Sequence, residues 1–269
     1  MRKGELLWGW LAYRASRCVN RPYFGSHLVA AQCTATRQPW MRRLLRQELQ
    51  RTTGPFRLLE VGSWAGQSTL LWAGVCDEMD RGTVFCVDHW SASTDVPPWM
   101  QRAARQDRVF QLFWFNVRAS GLAPRIVPIR GASERVLPVL APHFDVVYLD
   151  ADHAYSPFMS DLRHGMALTK MGGILCGDDL ELAPNEVDVP HATAHREENY
   201  ILDPRTGRMF HPGVNRGLVD MFGEMEIRVW DGFWAMRRTP EGYVSVGEAD
   251  YGEGGGDRVS ELSQGVCAA

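Results

Sequence analysis

The sequence predicts an α/β fold in which a mostly parallel sheet carries helices on both faces, and three observations predict it. From residue 57 onward, short apolar runs alternate with longer segments of helical periodicity, the pattern of repeated βα units. The first run, Arg57-Leu58-Leu59-Glu60-Val61, passes through Gly62-Ser63-Trp64-Ala65-Gly66 into a helix. That order puts backbone N–H groups and a helix N-terminus at the sheet edge, where a nucleotide-like ligand can be held. Three of the runs end in acids, at Asp88, at Asp150 and at Asp178-Asp179, and ligands gather at the carboxyl ends of such strands.

Taken in order, the chain opens with Leu6, Leu7, Trp10 and Leu11 at helical spacing, an amphipathic helix. Residues 21–36 are irregular. Pro39 then opens a second helix, a position proline favours, with Trp40, Leu44, Leu45 and Leu49 on one side. Strands follow at 57–61, 82–88, 125–129, 144–150 and 172–177, separated by helices at 68–76, 99–120, 133–140 and 156–168. Residues 91–98 form a polar, proline-rich loop. Residues 180–210 break the rhythm with Pro184, Pro190, Pro204, His191, His195 and Tyr200. An irregular insert after a strand's carboxyl end is where lids sit. A helix at 212–222 and one or two strands at 226–237 close the fold. These readings divide the chain into a helical arm or cap (1–54), a main domain (55–240) with a lid insert (180–210), and a Gly/Glu/Asp/Ser-rich tail (241–269) expected to be disordered.

The chain has 269 residues, 45% hydrophobic and 23% charged, enough to bury a core without covalent staples. Net charge is −3, yet residues 1–54 hold ten Lys/Arg against only Glu5 and Glu48. We read that arm as a solvated arginine-rich face and a candidate surface for self-association. It lacks the aromatic platform or motif of a nucleic-acid binder. The six cysteines (Cys18, Cys33, Cys76, Cys86, Cys176, Cys267) form no C-x-x-C pair, so neither a zinc site nor a disulfide frame is expected, and a reducing cytoplasmic setting is. The N-terminal apolar stretch is too short for a secretory signal and is closed by Arg14 and Arg17. No apolar run approaches the roughly 20 residues of a membrane span.

The chemistry is carried by the strand ends. Glu60-x-Gly62-x-x-x-Gly66 is not the G-x-G-x-x-G dinucleotide fingerprint and alone describes only a turn. Asp88, ending the second strand beside it, can accept both ribose hydroxyls of an adenosyl group. Asp150-Ala151-Asp152-His153 ends the fourth strand and Asp178-Asp179 the fifth. Carboxylates crowded there repel unless a cation sits among them, and Asp oxygens select a hard cation such as Mg²⁺.

Together, residues 60–69, Val87-Asp88, Leu149-Asp-Ala-Asp-His-Ala-Tyr155, Gly172-Gly173 and Gly177-Asp-Asp179 resemble the class I S-adenosylmethionine-dependent methyltransferases. The likeness is strongest to the metal-dependent O-methyltransferases of the macrocin and novobiocin tailoring type (the Methyltransferase-24 group), and more distant to the catechol and caffeoyl-CoA types. It runs from about residue 40 to 237, and His211-Pro212-Gly213-Val214 resembles a segment of bacterial members. The resemblance implies a Rossmann-like, seven-stranded, mostly parallel sheet. It implies S-adenosylmethionine held by Glu60, Gly62, Ser63, Trp64, Gly66, Ser68, Asp88, His89, Ser133 and Asp150, with Gly131-Ala132-Ser133 by the adenine. It implies Mg²⁺ on Asp150, Asp178 and Asp179, and Asp152 or His153 as the residue that takes the acceptor's proton. The caffeoyl-CoA type carries Lys at the position of His153, so this chain departs there, and Trp64 is bulky for such a turn. His191, His195 and His211 are alternative bases from the lid. The expected activity is Mg²⁺-dependent methyl transfer to a hydroxyl of a small molecule such as a sugar, phenol or polyketide. The alternatives are a hydroxylase-like metal chemistry on the same scaffold, which would need two His and one carboxylate, and a non-catalytic binding or scaffold protein.

Overall fold

The computed structural model describes residues 3–25, 36–91, 105–141, 143–223 and 227–247. Five strands, β1 (Arg57–Val61), β2 (Thr83–Asp88), β3 (Ile126–Arg130), β4 (Phe144–Leu149) and β5 (Thr169–Leu180), pair in parallel in the order β5-β4-β1-β2-β3. The order reverses beside β1, which makes the end of β1 the switch point of the sheet. Past β5, the insert contributes a separate two-stranded ribbon of β6 (Ile201–Leu202) and β7 (Met209–Phe210). β8 (Val229–Trp230), β9 (Gly232–Thr239) and β10 (Gly242–Ser245) then extend the main sheet antiparallel, β9 on the free edge of β5 with β8 and β10 paired to it. The path β10-β9-β5-β4-β1-β2-β3 has the seven strands expected, with β8 as an eighth off it. β10 is built from residues the composition assigned to the tail; residues 248–269 lie outside those described.

Strand side chains alternate between two cores, which is why these strands read as continuous apolar runs. Leu58, Val84, Cys86, Val146, Tyr148, Ile174 and Cys176 face one layer. Leu59, Val61, Val87, Val147, Leu149 and Leu175 face the other. The first layer is covered by α2 (Gln38–Arg51), α3 (Gln67–Glu78) and α4 (Arg108–Ala119), and the second by α6 (Tyr155–Leu168) and α8 (Pro212–Phe222). The short α5 (Ser133–Val136) follows β3, and α7 (Val189–Ala194) lies in the insert.

The 1–54 segment divides. α2 buries Met41, Leu44, Leu45 and Leu49, each contributing about 1.5–3 kcal/mol, and its buried Glu48 pairs with Arg237 of β9 at 2.6 Å. It is part of the main core rather than of a separate arm. Among the described residues of this segment, α1 (Lys3–Cys18) stands outward, with Trp8 and Trp10 exposed. It leans on the domain through Tyr13, whose ring meets Tyr23 at 5.5 Å and Phe115 of α4 at 6.4 Å.

The 180–210 insert is ordered. Leu182, Val187, Ala192, Ile201 and Phe210 form a small core of their own. Buried Asp203 ties it together by accepting from the backbone N–H of Asp188 at 2.8 Å and of Thr206 at 2.7 Å. Cys76, Cys86 and Cys176 are buried free thiols and Cys18 an exposed one; burial pushes the Cys76 thiol up to about 11. Cys33, Cys267, the 92–98 stretch and the first turns expected of the 99–120 helix lie outside the described residues. Among the described residues no helix is long and apolar enough to cross a membrane.

Candidate active site

The glycine turn is built by close approach. Gly62 has φ +90, and a Cβ on it would stand 2.0 Å from the backbone oxygen of Asp150. The turn between β1 and α3 therefore lies directly against the end of β4, and Asp150 N–H closes it by donating to Val61 O at 2.8 Å. Asp88 fastens the next strand to the same turn. Its Oδ2 accepts from Ser63 N–H at 3.0 Å and Trp64 N–H at 2.8 Å, and its Oδ1 from Trp90 N–H at 2.6 Å. A carboxylate offers about four acceptor positions, so Asp88 retains capacity for a ligand hydroxyl. Gly131 N–H donates to Asp88 O at 2.9 Å, which sets the segment leading to Ser133 beside Asp88. His89 is turned to its own loop, its Nδ1 2.8 Å from Ser91 N.

Glu60 faces inward. It is fully buried, and its Oε2 accepts from Ser63 Oγ at 2.7 Å and from Thr69 Oγ1. It braces the turn from below, and buried Ser68 also bonds it. Burial pushes its carboxyl up to about 7 against those hydrogen bonds. The folded state thus holds this proton more tightly than the unfolded chain does. The stability it confers is present below about 4.5, the ordinary value, and is lost as pH rises through about 7. The loss is on the order of 3 kcal/mol. Urea unfolding across this window should show Glu60→Gln losing less stability than the wild type by about that amount; parallel pH profiles would refute it.

At the ends of β4 and β5 a histidine lies between carboxylates. His153 Nε2 is 2.7 Å from Asp179 Oδ2 and 3.8 Å from Asp150 Oδ1. Its Nδ1 is 3.2 Å from Asn199 Oδ1, so both ring nitrogens face acceptors, an arrangement that favours the imidazolium. Burial opposes charge on His153, but Asp179 and Asp150 outweigh it and hold the imidazole well above its ordinary range. Burial likewise raises Asp150. Asp179 runs the other way: burial would raise it, and His153 and His211 hold it below the usual carboxylate range. Asp152 turns aside, its Oδ1 accepting from Ala154 N–H at 3.0 Å at the start of α6.

His211 arrives from just after the lid. Its ring lies 4.6 Å from that of His153 and 4.6 Å from that of Tyr200, and its Nδ1 is 2.8 Å from Glu181 Oε1. The lid histidines stay apart: His191 and His195 lie ring to ring at 4.5 Å, tilted by 44°, and His195 pairs with Glu198 at 2.6 Å.

The two acids ending β5 part company. Pairing with β9 slips between Gly177 and Leu180, and Asp179 takes φ +64. Asp179 faces His153, whereas Asp178, 3% exposed, pairs with the guanidinium of Arg37 and accepts from Tyr148 Oη at 3.3 Å. Burial works against the charge of Arg37, and Asp178, Asp179 and Asp150 more than restore it. Asp150 stays near both: Tyr148 Oη reaches Asp150 Oδ2 at 3.0 Å as well as Asp178, and all three carboxylates act on Arg37. Among the described residues, the ligating atoms that come within 4.8 Å of one another belong to His153, Asp179 and His211. Two imidazoles and one carboxylate suit a borderline transition metal; they do not fit the all-oxygen preference of Mg²⁺.

Sequence reasoning missed Arg37, Asn199 and Glu181. Arg37 lies just ahead of α2, far from the strand ends in sequence, and no local pattern marks it. Glu181 follows Asp179 by two residues and was legible as a further acid. Beside Asp179 opens a cavity of about 1470 Å³, lined among others by Arg37, Glu181, Tyr200 and Trp230.

Residues 59–180 match a family model described as a methyltransferase domain. No curated protein matches the chain. Among solved structures, it is similar to cofactor-bound Rv0187 from MTB (19% identity, 87% of this chain and 89% of that one, TM-score 0.50). It is similar to a proposed O-methyltransferase from Klebsiella pneumoniae (19%, 89% and 91%, 0.50). It is also similar to the O-methyltransferase NovP (18%, 78% and 83%, 0.50). At these identities the likeness is one of fold.

Proposed function

We propose that this chain, whose residues 59–180 match a methyltransferase-domain family, binds S-adenosylmethionine and transfers its sulfonium methyl group to a hydroxyl of a small-molecule acceptor. One observation carries the reading: the glycine turn at Gly62 lies against the backbone of Asp150, and three residues on His153 holds Nε2 between Asp179 and Asp150. A cofactor turn and a proton-accepting group thus share one strand end. Gly62, Ser63, Trp64 and Gly66 are the residues to cradle the methionine part, Asp88 the ribose, and Ser133 the adenine edge.

In the reaction the acceptor hydroxyl gives its proton to the His153–Asp179 pair, of which Asp179 lines the cavity. The oxygen attacks the methyl carbon in line, the carbon–sulfur bond breaks, and the sulfonium leaves as a neutral thioether, S-adenosylhomocysteine. Asp179 stabilises the imidazolium that forms, and Asn199 keeps the ring oriented. Alignment and exclusion of water supply most of the remaining acceleration.

Two imidazoles and one carboxylate give Mg²⁺ little support. His153, Asp179 and His211 would hold a borderline divalent metal. The same three residues favour a second reading, metal-dependent hydroxylation, because two His and one carboxylate are the ligand set of non-haem iron(II) oxygenases. The buried free thiols support a reducing, cytoplasmic setting, and the exposed Trp8 and Trp10 of α1 are a surface by which copies would associate.

The test is calorimetric titration with S-adenosylhomocysteine, transfer of labelled methyl to hydroxylated acceptors, and metal analysis. S-adenosylhomocysteine is expected to bind, and Mg²⁺ added after chelation to leave the rate unchanged. A rate lost on chelation and restored by Mg²⁺ would restore the three-carboxylate reading. Stoichiometric iron without binding of S-adenosylhomocysteine would establish the hydroxylase.

A further inference from the structure

We propose that the acceptor carries an anionic group, a carboxylate or a phosphate, and that Arg216 of α8 holds it. The inference rests on the methyl-transfer reading and names its substrate class. Arg216 is 7% exposed and lines the cavity that also takes in Asp179 and Tyr200. Among the described residues no hydrogen bond or ion pair reaches its guanidinium, and its Nε is buried without a partner.

The other inward-facing arginines are paired: Arg37 with Asp178, Arg237 with Glu48, and Arg81 with the Leu49 and Thr52 carbonyls. The opposite charge that acts on Arg216 is Asp220, one helical turn on. That carboxylate already accepts from Tyr155 Oη at 2.7 Å.

A guanidinium stays charged in a protein. Buried and unpaired, that charge is costly, and native structures pair it. Its planar fork matches carboxylate and phosphate oxygens two at a time. The position of α8 is itself tightly set: a Cβ on Gly213 would meet the backbone oxygen of His153 at 2.3 Å. The helix bearing Arg216 is thereby packed onto the segment bearing the proton acceptor. Val219, Ile227 and Trp230 line the same cavity, so the body of the acceptor meets an apolar wall. The acceptor is an amphipathic hydroxylated acid, with its anionic group at Arg216 and its hydroxyl toward Asp179 of the His153–Asp179 pair.

The experiment compares thermal melting of the full chain and its Arg216→Met variant in chloride buffer, with inorganic phosphate and with benzoate. S-adenosylhomocysteine is titrated into the same samples. Without added anion, Arg216→Met is expected to melt at or above the wild type, because it removes an unpaired buried charge. Phosphate or benzoate is expected to raise the wild-type midpoint by a few degrees and to leave the variant unmoved, the larger shift identifying the anionic group. Arg216→Gln repeats the comparison with a polar side chain. A lower midpoint for both variants in chloride buffer, or equal anion shifts in variants and wild type, overturns the proposal. Binding of S-adenosylhomocysteine is expected in all three proteins. Its absence from all three would remove the methyl-transfer reading while the anion shifts still decide whether Arg216 is an anion site.

Discussion

Gly62→Ala should abolish binding of S-adenosylhomocysteine and lower the melting temperature by about 10 °C. Two effects add. An alanine at φ +90 sits in a backbone region that costs about 1–3 kcal/mol outside glycine. Its Cβ would also stand 2.0 Å from the Asp150 oxygen, so β1 and β4 must separate at the point where the cofactor turn meets the proton acceptor; overpacking of this kind costs about 1–3 kcal/mol more. Gly54→Ala is the control. It too has positive φ, at +78, but nothing lies within 4 Å of its Cβ, so it should cost only about 1 kcal/mol and leave binding intact. Equal effects of the two substitutions, or wild-type affinity in Gly62→Ala, would refute the close-approach account.

His153→Ala should reduce the rate of methyl transfer by about 10²–10⁴-fold while S-adenosylhomocysteine still binds. A base works only when deprotonated. Asp179 and Asp150 hold the His153 imidazole well above its ordinary value, so the wild-type rate should climb with pH on a limb lying above about 6.5, the usual histidine range. His153→Ala should lose that limb. Asp179→Asn should move it down toward the ordinary range, because the largest charge favouring the imidazolium is gone. A merely structural histidine would shift the melting temperature and not the limb. A rate within tenfold of wild type in His153→Ala would pass the role to His211, the other histidine at the site.

The fold was largely legible in the sequence because its signals are local. The central parallel strands are buried on both faces, so Arg57–Val61 and Phe144–Leu149 appear as apolar runs, and glycine and proline punctuate the helices between them. Pro39 marked the start of α2 correctly. Whether α2 belonged to an arm or to the core was not legible, because its apolar stripe does not say what it packs against. The insert was misread as irregular for a similar reason: its small core joins Leu182 and Val187 to Ile201 and Phe210, and such short, separated apolar residues carry no period.

The sequence by itself determined the strand–turn–helix units, the glycine turn at Gly62, and the acids at the ends of β2, β4 and β5, since these depend on backbone preference and side-chain period within a few residues. Tertiary structure decided which of those groups face one another. The slipped pairing between β5 and β9 sends Asp178 to Arg37 and Asp179 to His153, although the two acids are adjacent in the chain. Packing also brings Asn199 of the lid and His211 just after it to that histidine, and leaves Arg216 buried without a partner among the described residues. Charge pairing acts through space over a few ångströms, and the residues it joins here come from segments that only the packed sheet brings together.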